Sequence, residues 1–205
     1  MSFRNRPYKK ADHDIVYDIC LKTGDSGQDA TAQFKDPKLI GHIYAGPYIN
    51  LEPKSAFILE HDTGVCGYII GALDSQSFFR KIKSKWLPNL KNQYIYPDEF
   101  PSLWTKDEEL IHLLYHPELP EVLPDYPSHL HIDILPQAQG QGMGKKLMDH
   151  FINYIKENGS KGLHLGLSIR NKRAFQFYKK YGMHKLKQDS ETIIMGISFG
   201  NSIDY

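Results

Sequence analysis

Gln139-Gly140-Gln141-Gly142-Met143-Gly144 stands between a strand pattern and a helix pattern. Upstream, Leu130-His131-Ile132-Asp133-Ile134-Leu135 alternates apolar and polar side chains and stops at Pro136. Downstream, Met143, Leu147, Phe151 and Ile155 recur every four residues. A strand running through a glycine turn into a helix is a ready anion site. The first helix amides have no internal partners, and the macrodipole places partial positive charge there. Glycines at 140, 142 and 144 leave no side chain between a phosphate and the main chain. A Walker loop does not fit, because the glycine spacing is one residue short and Lys145 is followed by Lys146. A Rossmann fingerprint does not fit either, because the spacing is G-x-G-x-G and falls two thirds of the way along the chain. A glycine turn with no ligand is the bland alternative.

A second motif follows after one predicted helix and one predicted strand, Asn171-Lys172-Arg173-Ala174-Phe175-Gln176-Phe177-Tyr178-Lys179-Lys180-Tyr181-Gly182-Met183. It predicts a short helix, with Asn171 as cap, Ala174, Phe177, Tyr178 and Tyr181 on one face, and Gly182 as a left-handed stop. The spacing Q-x-x-G-x-G, with Pro136 three residues before Gln139, resembles the acyl-CoA pyrophosphate loop of the GNAT N-acetyltransferases. The second motif resembles the N-x-x-A-x-x-F-Y-x-x-x-G-F segment of the same superfamily, with Met183 where Phe is usual. Within that superfamily the chain looks like the free-standing microbial relatives of the O-GlcNAcase C-terminal acetyltransferase-like domain. The residues carrying this are Tyr17 to Asp25, Gly46-Pro47-Tyr48, and Asn158 to Gly162 leading to Phe177-Tyr178. The animal domain is regarded as unable to bind acetyl-CoA, whereas the phosphate loop here is intact.

The resemblance implies an acetyl-CoA-dependent N-acetyltransferase in which an amine attacks the thioester directly. It places backbone groups of Ile132 and Ile134 on the pantetheine arm and thioester carbonyl. It places Gln139, Gly140, Gln141, Gly142, Met143, Gly144 and Lys145 on the pyrophosphate, and Asn171 on pantetheine. Such a strand binds a ligand if it splays from its neighbour and leaves ladder amides free. Tyr178 matches the usual proton donor to the departing thiolate; a free phenol, with pKa about 10, keeps its proton at neutral pH. A core aromatic is the alternative reading of Tyr178.

The general base is not carried over. Many relatives place a Glu five residues before the motif Asn, and that position is Gly166 here. His131 and Asp133, on one face of the strand by its period of two, and His164 are the candidates, beside a water relay. Each has an ordinary reading as a sheet residue or hydrogen-bond anchor. Glu60, Asp25 and Asp29 suit binding of an acceptor better than its deprotonation. The chain has ten histidines, but no H-E-x-x-H and no paired Cys/His spacing, so no metal is expected.

The elements that must position these residues read as α/β. Phe3 to Tyr8, Ala56 to Glu60, Val65 to Leu73, Leu130 to Leu135 and Gly162 to Ser168 predict strands, and Thr192 to Ser198 is expected to close the sheet. Asp12 is a predicted N-cap for a helix ending near Gly24, and Pro37 to Tyr44 predicts a second helix. The resulting expectation is a GNAT fold, a mixed central β-sheet with helices on both faces, as one domain over residues 1–205. Residues 74–128 are too many for a bare loop and read as an ordered insertion before the fourth strand. The pair Leu110/Leu114 predicts a helix within it. Its aromatics read as local core, with an acceptor pocket or a homodimer surface as the alternatives.

Composition fits a globular protein: 205 residues, 40% hydrophobic and 24% charged, with a net charge of +1. That balance gives no electrostatic case for nucleic acid or membrane partners. No apolar run reaches the ~18 residues needed to span a bilayer, and no leader is visible. Cys20 and Cys66 are far apart and read as reduced, buried thiols, so a cytoplasmic location is expected. Lys145-Lys146 and Lys179-Lys180 read either as solvated helix faces or as contacts for coenzyme phosphates. Two other functions stay open: a non-catalytic acyl-CoA-binding domain, and an interaction module built on the insertion.

Overall fold

A computed structural model describes residues 2–117 and 121–200. Seven strands form one mixed sheet: β1 (Phe3–Pro7), β2 (Ala56–His61), β3 (Gly64–Ala72), β4 (Ser128–Ile134), β5 (Gly162–Ser168), β6 (His184–Gln188) and β7 (Thr192–Ser198). Their order is β1-β2-β3-β4-β5-β7-β6. All neighbours pair antiparallel except β4 and β5, which run parallel.

Alternation along β2 and β3 sends side chains to two separate cores. Ile58, Tyr68 and Ile70 face α1 (His13–Thr23), α2 (Leu39–Tyr44) and α3 (Gly46–Leu51). Phe57, Leu59 and Ile69 face α7 (Met143–Glu157) and α8 (Lys172–Tyr181). The buried stripe of α7 is Met143, Leu147, Met148, Phe151, Ile152 and Ile155, the repeat expected of a helix with one apolar face. α7 lies close on the sheet because Gly71 has no side chain: a Cβ there would collide with Phe151.

The predicted insertion carries regular structure among its described residues. It contains α4 (Ser75–Lys81), a π-helical stretch over Ile82–Trp86, α5 (Leu87–Lys91) and α6 (Lys106–Tyr115). Phe78, Leu87, Leu90, Leu110 and Leu114 are buried in the core over α1–α3. Most of its aromatics pack locally, and the Tyr94 hydroxyl donates to Asp36 Oδ2 at 2.7 Å. Phe100, with Ile95 and Leu103, stays exposed. Thr105 and Glu108 form a reciprocal capping box at the start of α6.

Three expectations change. Thr192–Ser198 does not close the sheet: β7 slots between β5 and β6, and β6 is the edge. Its residues His184 to Gln188 are mostly exposed, so they lack the apolar alternation that marks a buried strand. A further helix, α3, follows α2 with only Ala45 between them. Asp12 occupies the N-cap position of α1 without capping it, because its carboxylate is taken by Arg6. Among the described residues no helix is long and apolar enough to cross a membrane.

Arg6 fastens β1 to its surroundings. It grips both Asp12 oxygens, at 2.7 and 2.8 Å, and reaches Glu60 Oε1 through Nε and Nη2, at 2.8 and 2.6 Å. The hydrogen bonds from Arg6 and then Arg4 pull the Glu60 pKa down from 4.5 to about 2. The stability this carboxylate contributes is therefore complete above its unfolded value and is lost as pH falls toward about 2. In Arg6→Leu, the Glu60 carboxyl should titrate nearer its ordinary value by NMR. The loss of urea stability between about pH 5 and about pH 2 should shrink with it. An unaltered Glu60 titration would show that Arg6 does not set it.

Candidate active site

β4 and β5 touch only at their starts, through Ser128↔Leu163 and His129↔His164. Beyond that they part, yet each stays paired on its outer side. β4 keeps to β3 as far as Gly67↔Ile134, and β5 keeps to β7 as far as Ser168↔Thr192. Alternate main-chain groups along 130–134 and 165–168 are thereby left facing a gap. The gap opens into a cavity of about 1520 Å³, lined by both strands, the 140–145 loop, α7, α8 and the turn after α1. The expected splay is thus present, and it puts the backbone of Ile132 and Ile134 on the cavity wall. Their side chains pack into the core under α7.

The glycine loop is held open from both ends. Gln139 donates from Nε2 to the Ile134 carbonyl at 2.6 Å and accepts from Arg173 at 2.5 Å. Gly140 and Gly142 have φ of +74° and +76°, a region costly for L-residues, and a Cβ at either would point into open space. Gly142 is the N-cap of α7 and carries no capping side chain. Among the described residues, the amides of 140 to 145 donate no hydrogen bond; the first to do so is Lys146, to the Gly142 carbonyl at 3.2 Å. Consecutive free amides at a helix N-terminus are a binding surface for a phosphate group. Gln139, Gly140, Gly142, Gly144 and Lys145 line the cavity. The side chains of Gln141 and Met143 do not: Gln141 donates to the Gln137 carbonyl at 2.9 Å, and Met143 is buried in the core.

Lys145 is shared. Its ammonium pairs with Asp149 at 2.7 Å, and Tyr181 donates to the other Asp149 oxygen at 2.7 Å. Lys156, Arg170, Lys172, Arg173 and Lys180 also line the cavity on the α7–α8 side. Asn171 caps α8 by accepting from the Ala174 amide at 2.9 Å, so its Oδ1 is occupied and its Nδ2 is left for a ligand.

Tyr178 is 8% exposed, and its hydroxyl makes no hydrogen bond among the described residues. It borders the cavity, and burial together with the nearby Asp133 charge raises its pKa. Asp133 sits half-buried on the opposite strand, cross-strand from Tyr68, whose buried hydroxyl donates to it at 2.5 Å. Burial raises the Asp133 pKa, against the lowering effect of the Tyr68 and Thr23 hydroxyls. His131 lies on the same face, between Tyr44 and Tyr48 at ring distances of 6.1 and 5.2 Å, and burial pushes its pKa down to about 4. At neutral pH it is an uncharged imidazole with little drive to take a proton from an ammonium.

Tyr48 is fixed from behind. The Ser75 hydroxyl donates to the Pro127 carbonyl at 2.7 Å, so its oxygen accepts from His129 Nδ1 at 2.7 Å. The Tyr48 hydroxyl then donates to His129 Nε2 at 2.8 Å. His164 is not brought to the cavity: its Nδ1 donates to the Tyr126 carbonyl at 2.6 Å beneath the sheet start. Glu60 is held by Arg4 and Arg6, and Asp29 caps a turn at Thr31; neither borders the cavity. Asp25 does. Gly166, where relatives place a Glu, is exposed on the cavity wall. Among the described residues no group of three or more His, Cys, Asp or Glu is placed to hold a metal.

Sequence reasoning missed three contributors. Tyr68 reads as a core residue until its register against Asp133 is known. Tyr44 reads as the end of a helix. Beside Asp25, itself a candidate from the sequence, Ser26-Gly27-Gln28 carry the signal of a tight turn, but nothing local tells that they line the cavity with β4.

Residues 26–183 match the acetyltransferase (GNAT) family model. The chain is 31% identical over 201 residues to the protein O-GlcNAcase of Rattus norvegicus, covering 94% of this chain and 22% of that protein. It thus spans about a fifth of the length of that curated relative. The crystal structure of SsHAT superposes with a TM-score of 0.90 at 36% identity, over 97% of this chain and 98% of that one. The PaiA N-acetyltransferase of Thermoplasma acidophilum, solved in complex with coenzyme A, shares the fold at 13% identity. Its TM-score is 0.55, over 97% of this chain and all of that one (100%). A family match across the loop, the parted strands and α8, joined to near-complete superposition on SsHAT, makes this chain a member of the GNAT acetyltransferase family, and so an acyltransferase.

Proposed function

We propose that the protein transfers the acetyl group of acetyl-CoA to an amine by direct attack on the thioester. The observation that carries this is the parting of β4 from β5 in front of unpaired amides at 140 to 145. Residues of the chain fit the coenzyme: free amides for the diphosphate, the exposed edge of β4 for the pantetheine amides, and cations on α7 and α8 for the remaining phosphate. The coenzyme supplies an activated acyl carbon and a thiol leaving group.

The chain's own groups do the rest. β4 main-chain amides polarise the thioester carbonyl as charge develops on its oxygen. Asp133 takes the proton of the incoming ammonium, directly or through one water, and Tyr68 holds its carboxylate in place. As the carbon–nitrogen bond forms and the carbon–sulfur bond breaks, the Tyr178 hydroxyl gives its proton to the departing sulfur, and the second proton shed by the acylated nitrogen restores the phenol. A phenol with a raised pKa keeps that proton at neutral pH. His131 serves as a neutral wall that orients the acceptor.

Gly142→Glu places a carboxylate where the diphosphate must sit. It should abolish acetyl-CoA binding in calorimetry with the circular dichroism spectrum unchanged. Gly142→Ala shares the left-handed backbone penalty of ~1 kcal/mol without the charge and should retain measurable binding. Full affinity in the Glu variant contradicts the assignment. Tyr178→Phe should lower kcat by about 10-fold or more while the Kd for acetyl-CoA moves less than about twofold. Turnover equal to wild type removes Tyr178 from the chemistry. Because Asp133 must be ionised to accept a proton, kcat/KM should rise with pH through a value raised above that of an ordinary aspartate. Asp133→Asn should cost about 100-fold and erase that limb. A wild-type profile in the Asn variant assigns the proton to another group.

A further inference from the structure

The cavity is divided by charge. Its α7–α8 side presents Lys145, Lys156, Arg170, Lys172, Arg173 and Lys180, against the single carboxylate Asp149. Its other side, built from residues 23–28, Tyr44 and β4, presents only Asp25 and Asp133 as charged groups. Neither carboxylate has a cationic partner among the described residues. Asp133 accepts from Tyr68, and Asp25 Oδ2 accepts from the Gln33 side-chain amide at 2.8 Å. Tyr178, more than nine-tenths buried and with no hydrogen bond of its own, borders the space between the two sides.

Asp25 is set at the cavity's rim by its backbone. The amides and carbonyls of Asp25 and Gln28 bond reciprocally, at 3.0 and 2.9 Å, closing a turn with positive φ at both Ser26 and Gly27. The turn reaches across to α8: a Cβ at Gly27 would lie 3.9 Å from Asn171 Nδ2. Thr23, two residues before Asp25, also borders the cavity, and its hydroxyl donates to the Ile19 carbonyl at 2.7 Å, tying the turn to the end of α1. The two carboxylates therefore line the same cavity on its side away from the cations, Asp133 from β4 and Asp25 from the turn after α1. A half-buried carboxylate with no cation beside it is an unmet electrostatic requirement, and the ligand that enters must supply the charge.

Building on the acetyl-transfer reading above, we propose that this wall is an acceptor subsite for a primary amine carrying a second positive charge, with the reacting ammonium at Asp133 and the distal cation at Asp25. Asp25 is then the residue that selects the acceptor. The polyanionic coenzyme and the cationic acceptor are sorted to opposite sides by the field before either is seated. A free diamine and a lysine side chain next to a basic residue present the same chemistry.

The test is thiol release from acetyl-CoA with three acceptors of matched length: 1,4-diaminobutane, butylamine and 4-aminobutyrate. They differ only in a distal positive, neutral or negative group. The expected order of kcat/KM is diamine above monoamine above zwitterion, with about tenfold between the first two, shrinking as salt is raised. In Asp25→Asn the diamine-to-monoamine ratio should fall close to one. Two short blocked peptides, one with lysine flanked by glycine and one by arginine, show which source is used. Arginine-dependent rates above those of the diamine assign it to a peptide, and the reverse order assigns it to a small polyamine. Equal or inverted rates for diamine and monoamine in the wild type overturn the subsite, as does a preference that survives in Asp25→Asn. The wild-type order and its salt dependence decide the matter even where the variant does not fold. No thiol release with any amine, with acetyl-CoA still bound in calorimetry, instead removes the catalytic reading itself.

Discussion

Two neighbouring strands paired at one end and parted at the other are the constraint on which the site depends. A lone parted strand would lose its ladder bonds to water and collapse onto its neighbour. Here each strand is anchored on its far side, β4 to β3 from His129 to Ile134 and β5 along its whole length to β7. Unpaired polar groups are costly when buried, and so the gap is stable only as a place that water or a ligand can reach. The loop that follows β4 keeps the gap from closing. Gln139 ties the end of β4 to Arg173 on α8, so that the strand, the glycine loop and the second motif are joined through one side chain.

The chemistry placed at the gap uses burial in two senses. For Tyr178 it raises the pKa, so the phenol keeps its proton at neutral pH, as the proposed acid role requires. For Asp133 it raises the pKa, making the carboxylate a stronger base than it is in water, which suits the base role proposed for it. Tyr68 limits that rise by donating to the ionised form. The same two residues hold each other apart in role, since the Asp133 charge makes ionisation of Tyr178 still harder. His131 shows the opposite effect of the same surroundings: burial disfavours its cation, and it becomes an uncharged wall.

What could be read from the sequence was what is local in the sequence. The strand at 130–135, the glycine loop and the helices after Met143 and Asn171 are set by patterns within a dozen residues, and each forms near its expected bounds. The order of the last two strands was not readable, because β6 buries little on either face and carries no alternation. α3 follows α2 so closely that two short helices read as one element and a loop. In the site, the loop amides were legible, while the partners of Asp133 were not. Tyr68 is 65 residues away, and only the β3–β4 register brings it opposite. Asp25 was visible as an acceptor-binding candidate together with Glu60 and Asp29, and composition could not separate them. The structure does so by spending Glu60 on Arg4 and Arg6 and Asp29 on a turn.

Gly166 is the position where the familiar pattern and this chain part company. Crowding does not explain the missing Glu: a Cβ there would meet Ile194 and Thr192 at 3.4 and 3.6 Å, ordinary contact distances. The residue faces the gap from β5, and Asp133 faces it from β4. A base on either wall of parted strands can reach an amine seated between them, so the carboxylate has an equivalent place on the opposite wall. With Gly166 bare, β5 adds no charged side chain to the cavity lining among the described residues. The negative potential is then concentrated on the side of Asp133 and Asp25, which is the side away from the cations of α7 and α8. A Glu at 166 would have put a third carboxylate between the two fields and blurred the division of charge on which the proposed sorting of an anionic coenzyme from a cationic acceptor rests.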